Sequence, residues 1–292
     1  MKLLLLNAGH CLSHALVRES CRRTDVELHV EDSLQCGTRL LAELTPDAVI
    51  IPPLGAPADI EPAMVTAHAE AVEATLDACL ARNIPLVWCV SDQLYEQGGE
   101  VSIEEEVIPA PRDEALRRLV VTGDRIRAQL PHHFIVRIGP LFALEGRDAW
   151  LPDLLDRLLS GEAIRAAEDV IVCPTAAEAL AMALIGMLQQ QFCGARAWGA
   201  YHLAGIEPVS LFTFTSVMRT QLDTRLAGLG EDVSLGEVVA LRLHPDYPLR
   251  RVLNCRRMLE TFGVHQKPWR LELDRLLDQW CQARHPLEEA SS

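Results

Sequence analysis

Short apolar runs alternate along the chain with longer stretches whose apolar residues recur at helical spacing. Leu3-Leu4-Leu5-Leu6 is the first run. It is continuous rather than alternating, the pattern of a strand buried on both faces of a parallel sheet. A turn of small and polar residues follows, and residues 13–22 predict an amphipathic helix. The pattern then predicts strands over 26–30, 47–51, 85–90 and 134–138, with helices over 38–44, 61–82 and 114–129. Pro52-Pro53 closes the third strand, since proline cannot donate to a sheet ladder. Strands separated by helices imply an α/β fold, a doubly wound parallel sheet with right-handed crossovers.

Beyond residue 150 the rhythm changes. Helices are predicted over 150–159, 176–190, 211–224, 255–262 and 272–284, with short strands over 170–173 and 200–204. Pro174 stops the first of these strands. Thr175, with Glu178 three residues on, reads as a capping box that opens the 176–190 helix. Residues 225–246 are less regular, with an apolar patch at 235–240. The predicted organisation is a first domain over 1–150 and a smaller C-terminal α/β lobe over 151–285, some of whose segments return to the first domain. A frayed acidic tail covers 286–292.

Composition narrows the function classes. At 292 residues and 49% hydrophobic, the chain has enough apolar material for a large core. It carries 41 acidic and 27 basic residues, a net charge of −14, which argues against nucleic acid or an anionic membrane as its main partner. No apolar run is long enough to predict a transmembrane helix, and the leucine run is too short for a secretory signal. Nine cysteines are scattered without a CxxC pair, mostly inside apolar runs. The expectation is reduced core thiols in a cytoplasmic protein, with no disulfide or metal framework.

Strand, tight turn and helix at the head of such a sheet is where a Rossmann-like, dinucleotide-binding domain keeps its phosphate loop. That loop uses glycine at three positions: for the turn, for close approach of the pyrophosphate, and for helix–strand packing. Here the three positions hold Asn7, His10 and Ser13, with Gly9 between them. The candidate cofactor-binding residues are therefore Asn7, Gly9, His10 and Ser13. Asp32, after the second strand, is the candidate for an adenosine ribose.

Several stretches together resemble the extended short-chain dehydrogenase/reductase superfamily, and within it the dTDP-4-dehydrorhamnose reductases and their sugar-nucleotide-binding relatives. Thr45-Pro46-Asp47-Ala48-Val49-Ile50 is similar to the family's RPDVVI strand. Val90-Ser91-Asp92-Gln93-Leu94-Tyr95 falls where the family has STDYVF. Val136-Arg137-Ile138, Cys173-Pro174-Thr175 and Tyr201-His202-Leu203-Ala204-Gly205 match its strand-end arginine, its xPT turn and its YHLAG segment. Leu253-Asn254 and the helix that follows, through Gly263 and Trp269-Arg270, resemble its C-terminal pattern.

The resemblance implies a reductase that uses a Tyr-x-x-x-Lys pair and NADP or NAD. The tyrosine donates a proton; the lysine one turn on lowers its pKa and binds the ribose. This chain departs from that pattern. Anchored on Gly123-Asp124, the tyrosine position holds Leu116 and the lysine position Val120. The hydroxyl after the fourth strand is kept as Ser91, with Asp92 beside it; these two are the catalytic candidates. Pro52-Pro53-Leu54 replaces an asparagine–alanine segment that lines the cofactor, and His68 replaces a buried asparagine. Substrate-binding candidates implied by the resemblance are Pro174, Thr175, Arg250 and Arg251, the arginines suiting a diphosphate.

Other polar features read as structural. His14, four residues after His10 and without a nearby carboxylate in sequence, reads as a surface or turn residue, and His132-His133 reads as a loop before a strand. Glu104-Glu105-Glu106 reads as a solvated acidic loop, and Arg137, at the end of a buried strand, as a residue that pairs structurally. The expected function is a non-catalytic, nucleotide-sugar-binding or regulatory module whose partner is a nucleotide-sugar-like ligand or another protein. The long helices over 61–82 and 114–129 are those the superfamily pairs into a homodimer. The alternative is an NAD(P)-dependent reductase or epimerase with a rearranged site.

Overall fold

The computed structural model describes residues 1–55, 61–95, 102–231, 233–244 and 248–284. The tail expected over 286–292 lies outside the described residues. In chain order, the first half contains β1 (Lys2–Leu5), α1 (Cys11–Cys21), β2 (Glu27–Val30), α2 (Thr38–Leu44), β3 (Ala48–Ile51), α3 (Pro62–Arg82), β4 (Leu86–Ser91), α4 (Glu114–Gln129), β5 (His133–Ile138) and β6 (Leu141–Phe142). The second half contains α5 (Leu151–Leu159), β7 (Ile164–Ala167), β8 (Val170–Val172), β9 (Thr175–Ala176), α6 (Ala177–Phe192), β10 (Gly199–Leu203), β11 (Val209–Ser210), α7 (Leu211–Gly228), β12 (Val238–Leu241), β13 (Leu249–Arg251), α8 (Arg256–Phe262) and α9 (Trp269–Arg284).

The central sheet has the order β10-β5-β4-β3-β1-β2, and every pairing in it is parallel. The leucine run explains its two-sided core. Leu3 and Leu5 pack with Leu12 and Leu16 of α1 and Leu180 and Leu184 of α6 on one face. Leu4 and Leu6 pack with Val72 and Leu76 of α3 and Leu119 of α4 on the other. Successive side chains of a strand point to opposite faces, so a strand covered on both sides must be apolar throughout. All four leucines are fully buried, each contributing about 1.5–3 kcal/mol. The doubly wound α/β fold expected from the sequence is the fold observed.

The second core gathers Phe142, Phe214, Trp269 and Leu273 from β6, α7 and α9. Short strands edge it: β7 beside β12, and β8 between β11 and β13. β10 returns to the central sheet beside β5. No helix among the described residues is long and apolar enough to cross a membrane. All nine cysteines are free, and only Cys21 and Cys193 are exposed.

Several local expectations are corrected. Thr175 does not cap α6: it lies in β9, paired with Leu141, and the helix starts at Ala177 without a side-chain cap. Glu178 instead receives Arg18 at 2.8 Å and lies 3.7 Å from Arg275. α7 continues to Gly228, and the irregular stretch contains β12. His133 is the buried first residue of β5, its Nδ1 2.5 Å from the Leu130 carbonyl, rather than a loop residue. Glu105 is buried too, so only its two neighbours in the acidic run are solvated.

Candidate functional site

The turn between β1 and α1 keeps the shape of a phosphate loop with unusual residues. Asn7 has φ +59°, the left-handed conformation that favours glycine and that asparagine tolerates better than most side chains. Ser13, fully buried at the third position, donates from Oγ to the Asn7 carbonyl at 2.8 Å and ties the helix to the turn. His10 is the N-cap of α1: its Nδ1 accepts the Leu12 N–H at 3.0 Å. The ring is therefore the tautomer with its proton on Nε2, and Nε2 lies 2.9 Å from Asp148 Oδ2. The approach is off the N–H axis, a Coulombic contact rather than an aligned hydrogen bond.

Asp148 dominates this end of the helix. Its Oδ1 accepts the Cys11 N–H at 2.6 Å, and its Oδ2 lies 3.2 Å from Cys11 Sγ. A carboxylate at a helix N-terminus meets unsatisfied N–H groups and the positive end of the helix dipole. Burial pushes the Asp148 carboxyl up, but the His10 contact and the Cys11 hydrogen bonds outweigh it and hold the group below its usual range. Burial and Asp148 together push the Cys11 thiol well up.

The preceding residues complete the cover. Arg147 N–H donates to the Gly9 carbonyl at 2.8 Å, and its guanidinium lies where a Cβ on Gly9 would be. Gly146, at φ +120°, passes so close to Cys11 that no side chain fits there. Six donors of the turn and of the first turn of α1 are also engaged, the Gly9 N–H being the exception. Asn7 N–H goes to Ser33 O, Ala8 N–H to Glu31 O, and His10 N–H to Asn7 O. Cys11 N–H goes to Asp148, Leu12 N–H to His10, and Ser13 N–H to the His10 carbonyl. A dinucleotide pyrophosphate needs those donors and the space above Gly9. The residues present do not fit it as they are folded. His10, Cys11 and Asp148 are close enough to suggest a metal, but the Nε2 proton required by the helix cap leaves no lone pair on Nε2.

The cleft beside the loop is nearly filled. About 30 Å³ remains among Pro53, Leu54, Ser91, Gly139, Asp148 and Trp150, room for little beyond a water. Leu116, expected at the tyrosine position, lines a still smaller space together with Leu54, His68 and Ser91. Val120 packs into the core on the same face of the sheet. His68 is buried and accepts the Trp88 indole N–H at 3.4 Å; burial, with His10 nearby, lowers its pKa to about 4.

Ser91, Asp92 and Arg251 come together. Ser91 Oγ donates to Asp92 Oδ1 at 3.3 Å and accepts the Gln93 N–H at 3.2 Å. Asp92 is fully buried, 3.9 Å from Arg251 Nη1. Burial raises its pKa to about 6 against the lowering pull of Arg251 and Ser91. Asp92 Oδ2 and Arg251 Nε have no hydrogen-bond partner among the described residues. Arg250 neighbours Arg251 in β13 and forms no ion pair among the described residues. Asp32 is exposed, one residue before the Ser33 that receives Asn7. Pro174 and Thr175 line a different cavity, and the Thr175 hydroxyl is engaged by the Cys173 carbonyl and the Gly205 N–H.

A family model described as the RmlD substrate binding domain matches residues 20–281. The chain belongs to the RmlD substrate binding domain family. Compared with curated protein sequences, it has no match. Its fold is similar to that of a dTDP-4-dehydrorhamnose reductase from Clostridium acetobutylicum, with 16% identity and a TM-score of 0.78 over 96% of this chain and 100% of the other. The Bacillus anthracis dTDP-4-dehydrorhamnose reductase in complex with NADP gives 17%, 0.73, 95% and 99%. DesIV, a dTDP-glucose 4,6-dehydratase from Streptomyces venezuelae with NAD and TYD bound, gives 16%, 0.74, 99% and 99%. At these identities the likeness to each is one of fold.

Two features of this RmlD-family chain were not found by reading its sequence. One is the Gly146-Arg147-Asp148 cover. A glycine followed by two opposite charges between a strand and a helix is too common a string to point at Cys11. The other is a buried network: Arg137 Nη1 donates to the Glu105 carbonyl at 3.0 Å and to His202 Nε2 at 3.2 Å. His202 Nδ1 faces the Ile103 carbonyl at 3.1 Å, and Tyr95 Oη lies 3.4 Å from His202 Nε2. Burial and Arg137 push the His202 pKa to about 3, so the ring is neutral. Arg137 was expected to be structural, and this network is its partner set.

Proposed function

We propose that this RmlD-family protein is a binding module that performs no reductase chemistry, holding a nucleotide-sugar-like ligand or a partner protein. The observation that carries this reading is the Asp148 carboxylate, seated on the Cys11 N–H that opens α1, where a pyrophosphate would be received. Leu116 and Val120 support it, since neither exchanges a proton. For the ligand, Arg250 without an ion pair among the described residues, with Arg251 beside it in β13, suits a diphosphate.

A second reading, an NAD(P)-dependent reductase or epimerase with a rearranged site, rests on Ser91 and Asp92. A hydroxyl 3.3 Å from a carboxyl of pKa about 6 is suited to proton transfer near neutral pH. The deciding experiment incubates the protein with a dTDP-4-dehydro sugar and NADPH and follows NADPH absorbance, alongside calorimetric titration with dTDP-glucose. The binding-module reading expects no oxidation of NADPH, and saturable sugar-nucleotide binding that Arg250→Ala weakens. Turnover abolished by Ser91→Ala would establish the second reading in its place.

A further inference from the structure

A cavity of about 290 Å³ lies away from the cleft, between α6, the end of β10 and the segment joining α8 to α9. That is roughly ten times the space left beside the phosphate loop. Its floor is the start of α6 and the residue before it. Ala176, at the end of β9, and Ala179 and Ala183 of α6 end at Cβ, which leaves the room a longer side chain would fill; Met182 is the long α6 side chain in the lining. The opposite wall, from Val264 to Lys267, is pinned to the sheet. Gln266 Nε2 donates to the Ala204 carbonyl at 3.0 Å and the Gly205 carbonyl at 3.2 Å. Ile206 N–H donates to the Lys267 carbonyl at 3.0 Å, and Ile206 pairs with Pro268. The cavity is therefore held open by the fold. Trp269 forms part of its wall, and the indole N–H has no acceptor among the described residues.

The charge at the rim is unusual for this chain. Only two of its basic residues are lysines, Lys2 and Lys267. Lys2 lies 3.6 Å from Glu27. Lys267 is exposed, lines the cavity, and has no ion-pair partner among the described residues. Glu272, the acidic group in the lining, is taken by Arg275 at 3.1 Å. An apolar recess with an uncompensated ammonium at its mouth thus occurs in a protein of net charge −14.

We propose that this cavity is a binding site for a small amphipathic anion: a flat or short apolar body that enters the alanine-lined recess, carrying one acidic group that meets Lys267. Apolar walls with a few placed polar groups are the usual composition of small-ligand sites, and the volume suits a molecule of one or two rings. The site is independent of what the cleft does, so its test does not share the fate of the reading above.

The experiment titrates the intact protein with anilinonaphthalene sulfonate, reading probe fluorescence and energy transfer from tryptophan. Phenylnaphthylamine, which lacks the sulfonate, serves as the neutral control. The expected result is saturable binding of the sulfonate at a single site, weakened about tenfold by Lys267→Glu, about 1.4 kcal/mol. The neutral probe binds wild type and Lys267→Glu alike. Ala179→Phe, which fills the recess, removes both signals. Lys267 is exposed, so its variant keeps the wild-type melting temperature and the comparison stands whether or not Ala179→Phe folds. Equal sulfonate binding by wild type and Lys267→Glu, or no saturable binding by wild type, overturns the proposal.

Discussion

Replacing Asp148 tests the closed loop through stability, without any assumption about substrate. Asp148→Ala removes the acceptor of the Cys11 N–H at 2.6 Å and the negative charge at the start of α1. A hydrogen bond to a charged group is worth about 1.5–3 kcal/mol, and a charge at a helix end about 0.3–1 kcal/mol. The expected loss is about 2–4 kcal/mol. Asp148→Asn keeps an acceptor and loses only the charge, so about half of that is expected. With a urea m-value of about 3 kcal/mol/M, the midpoint falls by about 1 M for Ala and about 0.5 M for Asn. The pH dependence has a definite sign. The folded carboxyl is held below its unfolded value, so its stabilisation is complete above pH about 3.9 and is lost as pH falls through the folded pKa. The gap between wild type and Asp148→Asn should be equal at pH 7 and pH 6. A gap that closes in that interval would belong to a histidine instead. Pyrophosphate should raise the midpoint of Asp148→Ala and leave wild type unmoved, since only the variant has a vacated anion seat. Wild-type midpoints for both variants would refute the assigned role of Asp148.

Three further outcomes are expected. The double variant Leu116→Tyr, Val120→Lys should not oxidise NADPH, because Asp148 and Arg147 still cover the loop; turnover in an NADPH absorbance assay would show that the loop is no obstacle. His68, with its pKa lowered to about 4, stays neutral in the fold while the unfolded chain protonates near pH 6.5, so stability falls as pH drops from about 6.5 towards 4, by up to about 3 kcal/mol. His68→Asn should flatten that slope in urea titrations at stepped pH, and an unchanged slope would place the effect in other groups such as His202. Arg137→Met removes the donor to the Glu105 carbonyl and His202 Nε2 and should cost about 2–4 kcal/mol by urea unfolding; a loss under about 1 kcal/mol would contradict the network.

The central sheet was legible because its signal is local. Four leucines in a row, or the apolar spacing of 38–44 and 114–129, carry their own prediction, and α2 and α4 have the bounds that spacing implied. The strands β6, β7, β9, β11, β12 and β13 were missed for the opposite reason. Each is two to four residues long and exists only through its partner. Thr175 shows the cost: its capping pattern with Glu178 was sound locally, but pairing with Leu141 and the demands of Arg18 and Arg275 on Glu178 took both residues elsewhere. Glu105 reads as solvated by its charge, yet it is buried, its carboxylate accepting the His202 N–H of β10 and its carbonyl the Arg137 guanidinium of β5.

The candidate site divides in the same way. Which loop had changed was readable, because Asn7, His10 and Ser13 stand where glycines belong. What now covers the loop was not. Asp148 meets Cys11 across 137 residues, and no spacing rule reaches that far. Nor did His14 announce the Glu145 that lies 3.6 Å away.

The most direct measurement is a calorimetric titration of the unmodified protein with NADPH. The loop as folded, with Asp148 on the helix and every N–H from Asn7 to Ser13 but that of Gly9 engaged, predicts no saturable heat up to about millimolar cofactor, weaker than about −4 kcal/mol. Saturable binding in the micromolar range would mean that residues 146–148 yield to a pyrophosphate, and would contradict the account.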